Sequence, residues 1–160
     1  MSEDNREGVD NPGVVAPPPF IYAGTLAAGL LLNRLRPIRL PLPRSLSRVL
    51  GLLMTAGGLV FGLWGVREMR RAETNLDPRK PTTAIVDAGP YQFSRNPLYV
   101  GMTLMYCGIS AFANALLPFL MLPSVLAVMR NGVIEREELY LEEKFGEEYL
   151  AYKARVRRWV

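Results

Sequence analysis

The chain has 160 residues, 49% of them hydrophobic, and carries 19 basic and 15 acidic side chains for a formal charge of +4. It has one cysteine and no histidine, which excludes an intramolecular disulfide, His-based triads and a tight zinc or iron site. The length allows one domain, and along it the apolar and charged residues are sharply segregated.

In chain order, residues 1–13 read as a disordered acidic tail and not as a signal peptide, because the Pro17-Pro18-Pro19 break precedes any apolar stretch. Residues 14–66 hold two predicted transmembrane helices. The first covers about 20–32 and can begin at Val14, and the second covers about 46–66. Within the second, residues 49–66 include a single polar side chain, Thr55. Its glycines (Gly51, Gly57, Gly58, Gly62 and Gly65) offer small surfaces on which a neighbouring helix can pack closely.

Residues 67–97 form a long connection. It opens as a charged helical extension (Arg67, Glu68, Arg70, Arg71, Glu73) and then turns rich in Pro and Thr. Connections of that length are usually functional or disordered, and Ile85, Val86, Tyr91 and Phe93 predict that this one packs onto the protein.

Residues 96–129 contain no Asp, Glu, Lys or Arg. A helical span needs about 20 apolar residues, so the run predicts two short or tilted spans, about 98–113 and 116–129. They are joined by a tight turn at Asn114 and Ala115, and Pro123 should bend the second. The expected fold is all-α and integral to the membrane, with about four transmembrane helices including a C-terminal helical hairpin, followed by a charged cytoplasmic helix over 130–160. That last segment reads as one helix or as two broken at Gly146. Ile134, Leu141 and Phe145 share one face, with Glu137 and Glu138 about 60° and 40° to either side. Tyr149, Tyr152, Val156 and Trp159 continue a stripe that would also suit a helix lying on the membrane surface.

The first loop carries five arginines (Arg34, Arg36, Arg39, Arg44, Arg48), and the other 14 basic residues lie in the tail, the connection and the C-terminal segment. The positive-inside rule places those three in the cytoplasm. The expected location is a prokaryotic plasma membrane, and the expected partners are the lipid bilayer and a lipophilic substrate, with no nucleic acid and no metal. Basic residues at the edges of apolar runs anchor spans at headgroups; they do not mark a nucleic-acid surface.

Two segments concentrate polar chemistry. One is Gly89-Pro90-Tyr91-Gln92-Phe93-Ser94-Arg95-Asn96-Pro97-Leu98-Tyr99-Val100-Gly101, at the entrance to a span. The other is Glu137-Glu138 followed by Phe145-Gly146-Glu147-Glu148-Tyr149 and Tyr152. Together, from about residue 74 to 159, they resemble the membrane-embedded isoprenylcysteine carboxyl methyltransferase family, which shares its general pattern with the phospholipid methyltransferases. The resemblance implies methyl transfer from S-adenosylmethionine to a lipophilic acceptor. It implies a catalytic region over 67–160, made of a cofactor loop (67–97), a helical hairpin (98–129) and a C-terminal helix (130–160). It assigns cofactor contacts to Thr83, Ala84, Ile85, Val86, Tyr91, Asn96, Pro97, Leu98 and Tyr99, and makes Glu137 the holder of the cofactor's amino group. A carboxylate at such a boundary is costly unless it meets a cation, and the ligand's ammonium would supply one.

Arg95 is the candidate catalytic residue, with a snorkelling headgroup contact as the alternative. Two positions depart from the family pattern. Asn96 stands where the family often has His, and Val133 stands where the prenylcysteine enzymes place a substrate-binding Arg. The second departure argues against a prenylated-protein substrate. A carboxylate or thiolate acceptor needs no base, which suits a chain without histidine. An amine or phospholipid acceptor, and a non-catalytic four-span protein, are the alternatives.

Overall fold

The computed structural model describes residues 11–160. The first ten residues of the expected acidic tail lie outside the described residues. Among the described residues the regular structure is entirely helical.

Helix α1 (Pro18–Leu35) opens on a proline, whose fixed φ and missing N–H suit a first turn, and it stops just before Pro37. Helix α2 (Arg44–Arg71) starts in the same way after Pro43 and has 28 residues. At 1.5 Å per residue it is about 42 Å long, so its charged last turns extend beyond a hydrocarbon core of about 30 Å. Helix α3 (Pro97–Phe112) again begins on proline. It ends at a tight turn where Asn114 adopts φ +52°, a left-handed geometry that asparagine tolerates. Helix α4 (Leu116–Met129) contains Pro123 and passes without a break through a π turn (Arg130–Ile134) into α5 (Glu135–Phe145). Gly146, at φ +54°, then reverses the chain into α6 (Glu147–Arg155).

The segments expected as four spans are helical, as α1–α4. Two helices are long and apolar enough to cross a membrane by themselves: α2, and the continuous helix Leu116–Phe145. Helix α3 is apolar but has only 16 residues. The charged segment is two helices, as one reading of Gly146 anticipated. It is not a surface-lying stripe, because Tyr149 and Tyr152 are buried and the helix ends at Arg155.

Helices α2 and α3 meet along a glycine seam. Gly51, Gly58 and Gly65 recur every seven residues on the face of α2 that touches α3, and Gly101 and Gly108 face them. A Cβ at Gly58 would lie 2.6 Å from the Gly101 carbonyl oxygen, and one at Gly101 would lie 2.8 Å from the Gly58 oxygen. Only bare backbones can approach so closely, as in tightly packed membrane helices. Ser47 Oγ adds a 2.6 Å bond across the seam to the Ala111 carbonyl. The opposite side of α2 exposes Leu52, Leu53, Val60 and Leu63, a surface suited to lipid. Helix α1 lies against α4 and α3, where the Tyr22 hydroxyl meets Thr103 Oγ1 at 2.8 Å and Gly29 abuts Pro118.

The seam distinguishes adjacent glycines. Gly58→Ala should destabilise the protein by about 1–3 kcal/mol through overpacking against the α3 backbone. Gly57→Ala meets no atom within 4 Å and should be neutral or slightly stabilising. Thermal unfolding of the two variants in detergent tests the seam, and equal melting temperatures would remove it as a packing determinant.

Candidate functional site

The connection between α2 and α3 is ordered by its own side chains. Glu73, at φ +53°, turns the chain out of α2. Thr74 Oγ1 accepts from the Thr83 amide at 3.1 Å, Thr83 Oγ1 donates to the Glu73 carbonyl at 2.9 Å, and the Asn75 side chain donates to the Pro81 carbonyl at 2.7 Å. The Thr82 amide reaches across to the Tyr140 hydroxyl of α5 at 3.2 Å. Gly89, at φ +60°, allows the chain to lie on Trp64 and Glu68, since a Cβ there would come within 2.8 Å of both. A short 3-10 turn (Gly89–Gln92) then leads into α3.

Between this connection, the foot of α3, and α5–α6 lies a cavity of about 140 Å³ that opens partly to solvent. Ligand sites are usually apolar with a few polar groups that fix orientation. Ile85, Val86, Leu98 and Leu141 provide the apolar wall, and Tyr91, Tyr99, Tyr149 and Tyr152 the aromatic one. Burial pushes the phenols of Tyr91, Tyr149 and Tyr152 well above their ordinary range, so they enter the site as neutral hydrogen-bonding groups.

The two carboxylates on α5 have different surroundings. Glu138 is buried, 3.0 Å from Arg95 Nη2, and it accepts a forked pair from Arg158 Nε and Nη2 at 2.9 and 2.7 Å. Glu137, by contrast, has no cation within 4 Å among the described residues. It accepts one bond, 2.7 Å long, from the Tyr99 hydroxyl. It lies beyond the apolar stretch of its helix, and burial pushes its carboxyl up to about 7, with Glu138 adding to the rise and the Tyr99 bond opposing it.

Nine of the ten expected cofactor residues line the cavity: Ala84, Ile85, Val86, Tyr91, Asn96, Pro97, Leu98, Tyr99 and Glu137. Arg95 does as well. Thr83 does not; its hydroxyl and amide hold the connection together, and Thr82 and Thr74 line the cavity instead. Phe93 is 57% exposed and does not pack as expected. Asn96 is tied to the C-terminus, its side-chain nitrogen donating to the Arg158 carbonyl at 3.0 Å. Ser94 Oγ and the Arg95 amide also donate to that tail, at Arg158 and Arg157. Sequence reasoning gave Arg158 no partner and allowed Tyr149 and Tyr152 to lie on the membrane surface. The double tyrosine spacing after Gly146 was the available signal for the latter pair.

The model of a family described as phospholipid methyltransferase matches residues 46–148 of the chain. An uncharacterized protein of Haemophilus influenzae is 38% identical over 63 residues, which are 39% of this chain and 79% of that protein. No solved structure matches.

If Glu138 is what holds Arg95 and Arg158 in place, Glu138→Gln strands one buried and one half-buried guanidinium. It should cost about 3 kcal/mol, the low end for breaking a buried pair. Glu143→Gln, on the exposed side of α5, should fall within about 0.5 kcal/mol of the parent. Denaturant unfolding in mild detergent compares the two, and similar midpoints would mean that the cluster does not support the fold.

Proposed function

The chain belongs to the phospholipid methyltransferase family, and on that premise we propose that it transfers a methyl group from S-adenosylmethionine to a lipophilic acceptor that reaches the cavity from the bilayer. Glu137 carries the reading. A carboxylate in an apolar and aromatic cavity, with one neutral hydrogen bond and no counter-charge among the described residues, is unfavourable when ionised. A ligand ammonium beside it would reverse that penalty. Ile85, Val86, Leu98 and Tyr91 suit the flat face of an adenine.

The transfer asks for position more than for proton chemistry. A lone pair of an acceptor carboxylate or thiolate forms the new bond to the methyl carbon. The carbon–sulfur bond breaks as its electrons return to sulfur, leaving the thioether S-adenosylhomocysteine. No proton moves, which fits a cavity whose other carboxylate, Glu138, is engaged by two arginines. The elevated Glu137 favours a second reading, an amine acceptor such as a phospholipid headgroup, with Glu137 taking its proton. In both readings the cavity opens to the cytoplasm, the side on which 14 of the 19 basic residues lie by sequence.

Calorimetry with S-adenosylhomocysteine on the purified protein in detergent tests the proposal. Saturable binding is expected, and Glu137→Gln should weaken it by at least about tenfold while exposed Glu147→Gln leaves it unchanged. Absence of binding at millimolar ligand would overturn the reading. The pH dependence has a definite sign. The folded carboxyl is raised to about 7, so below that pH it protonates and binding weakens, by up to about tenfold per unit. The ligand-free fold behaves oppositely: the contribution of this group is complete below its unfolded value and is lost as pH rises through about 7. Glu137→Gln should flatten both profiles.

A further inference from the structure

We infer that Arg95 and Glu137 form a two-pronged seat for the α-amino-acid end of the ligand, with Glu137 taking the ammonium and Arg95 the carboxylate. The inference rests on the cofactor reading and moves Arg95 from candidate catalytic residue to cofactor contact. The Arg95 side chain is 8% exposed and lines the cavity. Its Nη2 meets Glu138, but its Nε and Nη1 are buried and have no hydrogen-bond partner among the described residues. Buried guanidinium donors left unpaired in a folded protein are costly, so these two nitrogens call for an acceptor that the described residues do not supply.

Charge counting leads to the same ligand. Glu138 is one carboxylate shared between Arg95 and Arg158, so that cluster carries one positive charge in excess. Glu135 offsets it weakly, lying 3.7 Å from Arg158 Nη1 and also paired with Arg130 at 2.9 Å. Glu137 carries one negative charge in excess, one residue away on the same helix. The cavity thus presents an unanswered cation beside an unanswered anion. An inorganic anion or a simple amine would satisfy one and leave the other. A zwitterion whose two charges sit on one carbon would satisfy both, with the planar fork of arginine matched to its carboxylate.

The arginine is held for this role before any ligand arrives. Its backbone amide donates to the Arg157 carbonyl at 2.9 Å, and Ser94 and Asn96 on either side donate to the Arg158 carbonyl. Glu138 fixes one end of the guanidinium of this cavity-lining residue, 3.0 Å from Nη2. Pre-orientation of that kind lowers the cost of binding.

The test is calorimetry on the full chain in detergent with two ligands, S-adenosylhomocysteine and its decarboxylated analogue, which keeps the amine and lacks the carboxylate. The parent protein should prefer S-adenosylhomocysteine by on the order of tenfold or more. Arg95→Gln should bring S-adenosylhomocysteine down to the affinity of the analogue and leave the analogue within about twofold of its value in the parent. Equal weakening of both ligands, or an undiminished preference, would overturn the assignment. Arg95→Lys, which keeps a charge against Glu138, carries the test if Arg95→Gln does not fold; a preference reduced to a few-fold is expected, and an unchanged one counts against the seat. If the parent binds S-adenosylhomocysteine but never distinguished it from the analogue, only the seat fails. If it binds neither, the cofactor reading fails with it.

Discussion

Glu138 shares Oε1 between Arg95, just before α3, and Arg158, near the C-terminus, and gives Oε2 to Arg158 alone. A carboxylate withdrawn from water is stable only if charged donors occupy it, so α5, the foot of α3 and the C-terminal segment have to be brought together before that cost is met. Once they are, the backbone follows: Ser94, Arg95 and Asn96 all donate to the carbonyls of Arg157 and Arg158. The walls of the cavity are therefore joined by one ionic cluster on the water side of the apolar helices. This cluster also explains why two neighbouring glutamates differ. Glu138 is consumed by structure, and Glu137 is left with its charge unanswered.

The cluster works because the foot of α3 has a fixed place relative to α2. Inside a bilayer, apolar side chains gain little by preferring one another over lipid, so helix position is set by close packing and by the few polar bonds available. The glycine seam supplies the packing. Gly65 ends it directly under Pro97 and Leu98, the first residues of α3. Eight residues earlier in the connection, Gly89 rests on Trp64 and Glu68 of α2. The end of the connection is therefore pinned to the same helix twice, and residues 84–86, just before those anchors, form a wall.

The membrane helices were legible because their signals are local. The uncharged run over 96–129 and the prolines at 18, 37, 43 and 97 mark where helices begin and end, and the structure departs from the expected bounds by a few residues. The cavity's apolar wall was legible through a resemblance carried by Tyr91, Pro97, Tyr99 and Glu137. Partner choice was not legible. The chain has 19 basic residues, and nothing in their spacing says that Arg95 and Arg158, 63 positions apart, meet on one carboxylate. Arg130 and Arg136, much nearer to the glutamate pair in sequence, are instead on Glu135 and on the Gly13 carbonyl. Thr83 and Thr82 are equally indistinguishable in sequence, because which of them faces inward depends on the turn set by Glu73 and Thr74.

The π turn at Arg130–Ile134 accounts for one departure from the resembled pattern, Val133. It brings Val133 and Ile134 wholly inside the protein, into a core with Tyr22, Tyr99, Tyr106 and Met129. Its Gly132 carbonyl receives the Val15 amide, which ties the segment before α1 to the helix that carries Glu137. An arginine at 133 would place a charge in that core, so valine there is a packing residue and the site has to find its cation elsewhere. Asn96 likewise serves the tail, through a donor bond that a proton-carrying role would not need. Both departures remove ionisable chemistry from positions next to the cavity. What faces it includes a guanidinium with two buried donors unpaired among the described residues, a carboxylate with no cation among those residues, and five tyrosines. Such a set can grip and orient a charged ligand, and it leaves the reactivity to the ligand's own sulfonium and to an acceptor that arrives ionised.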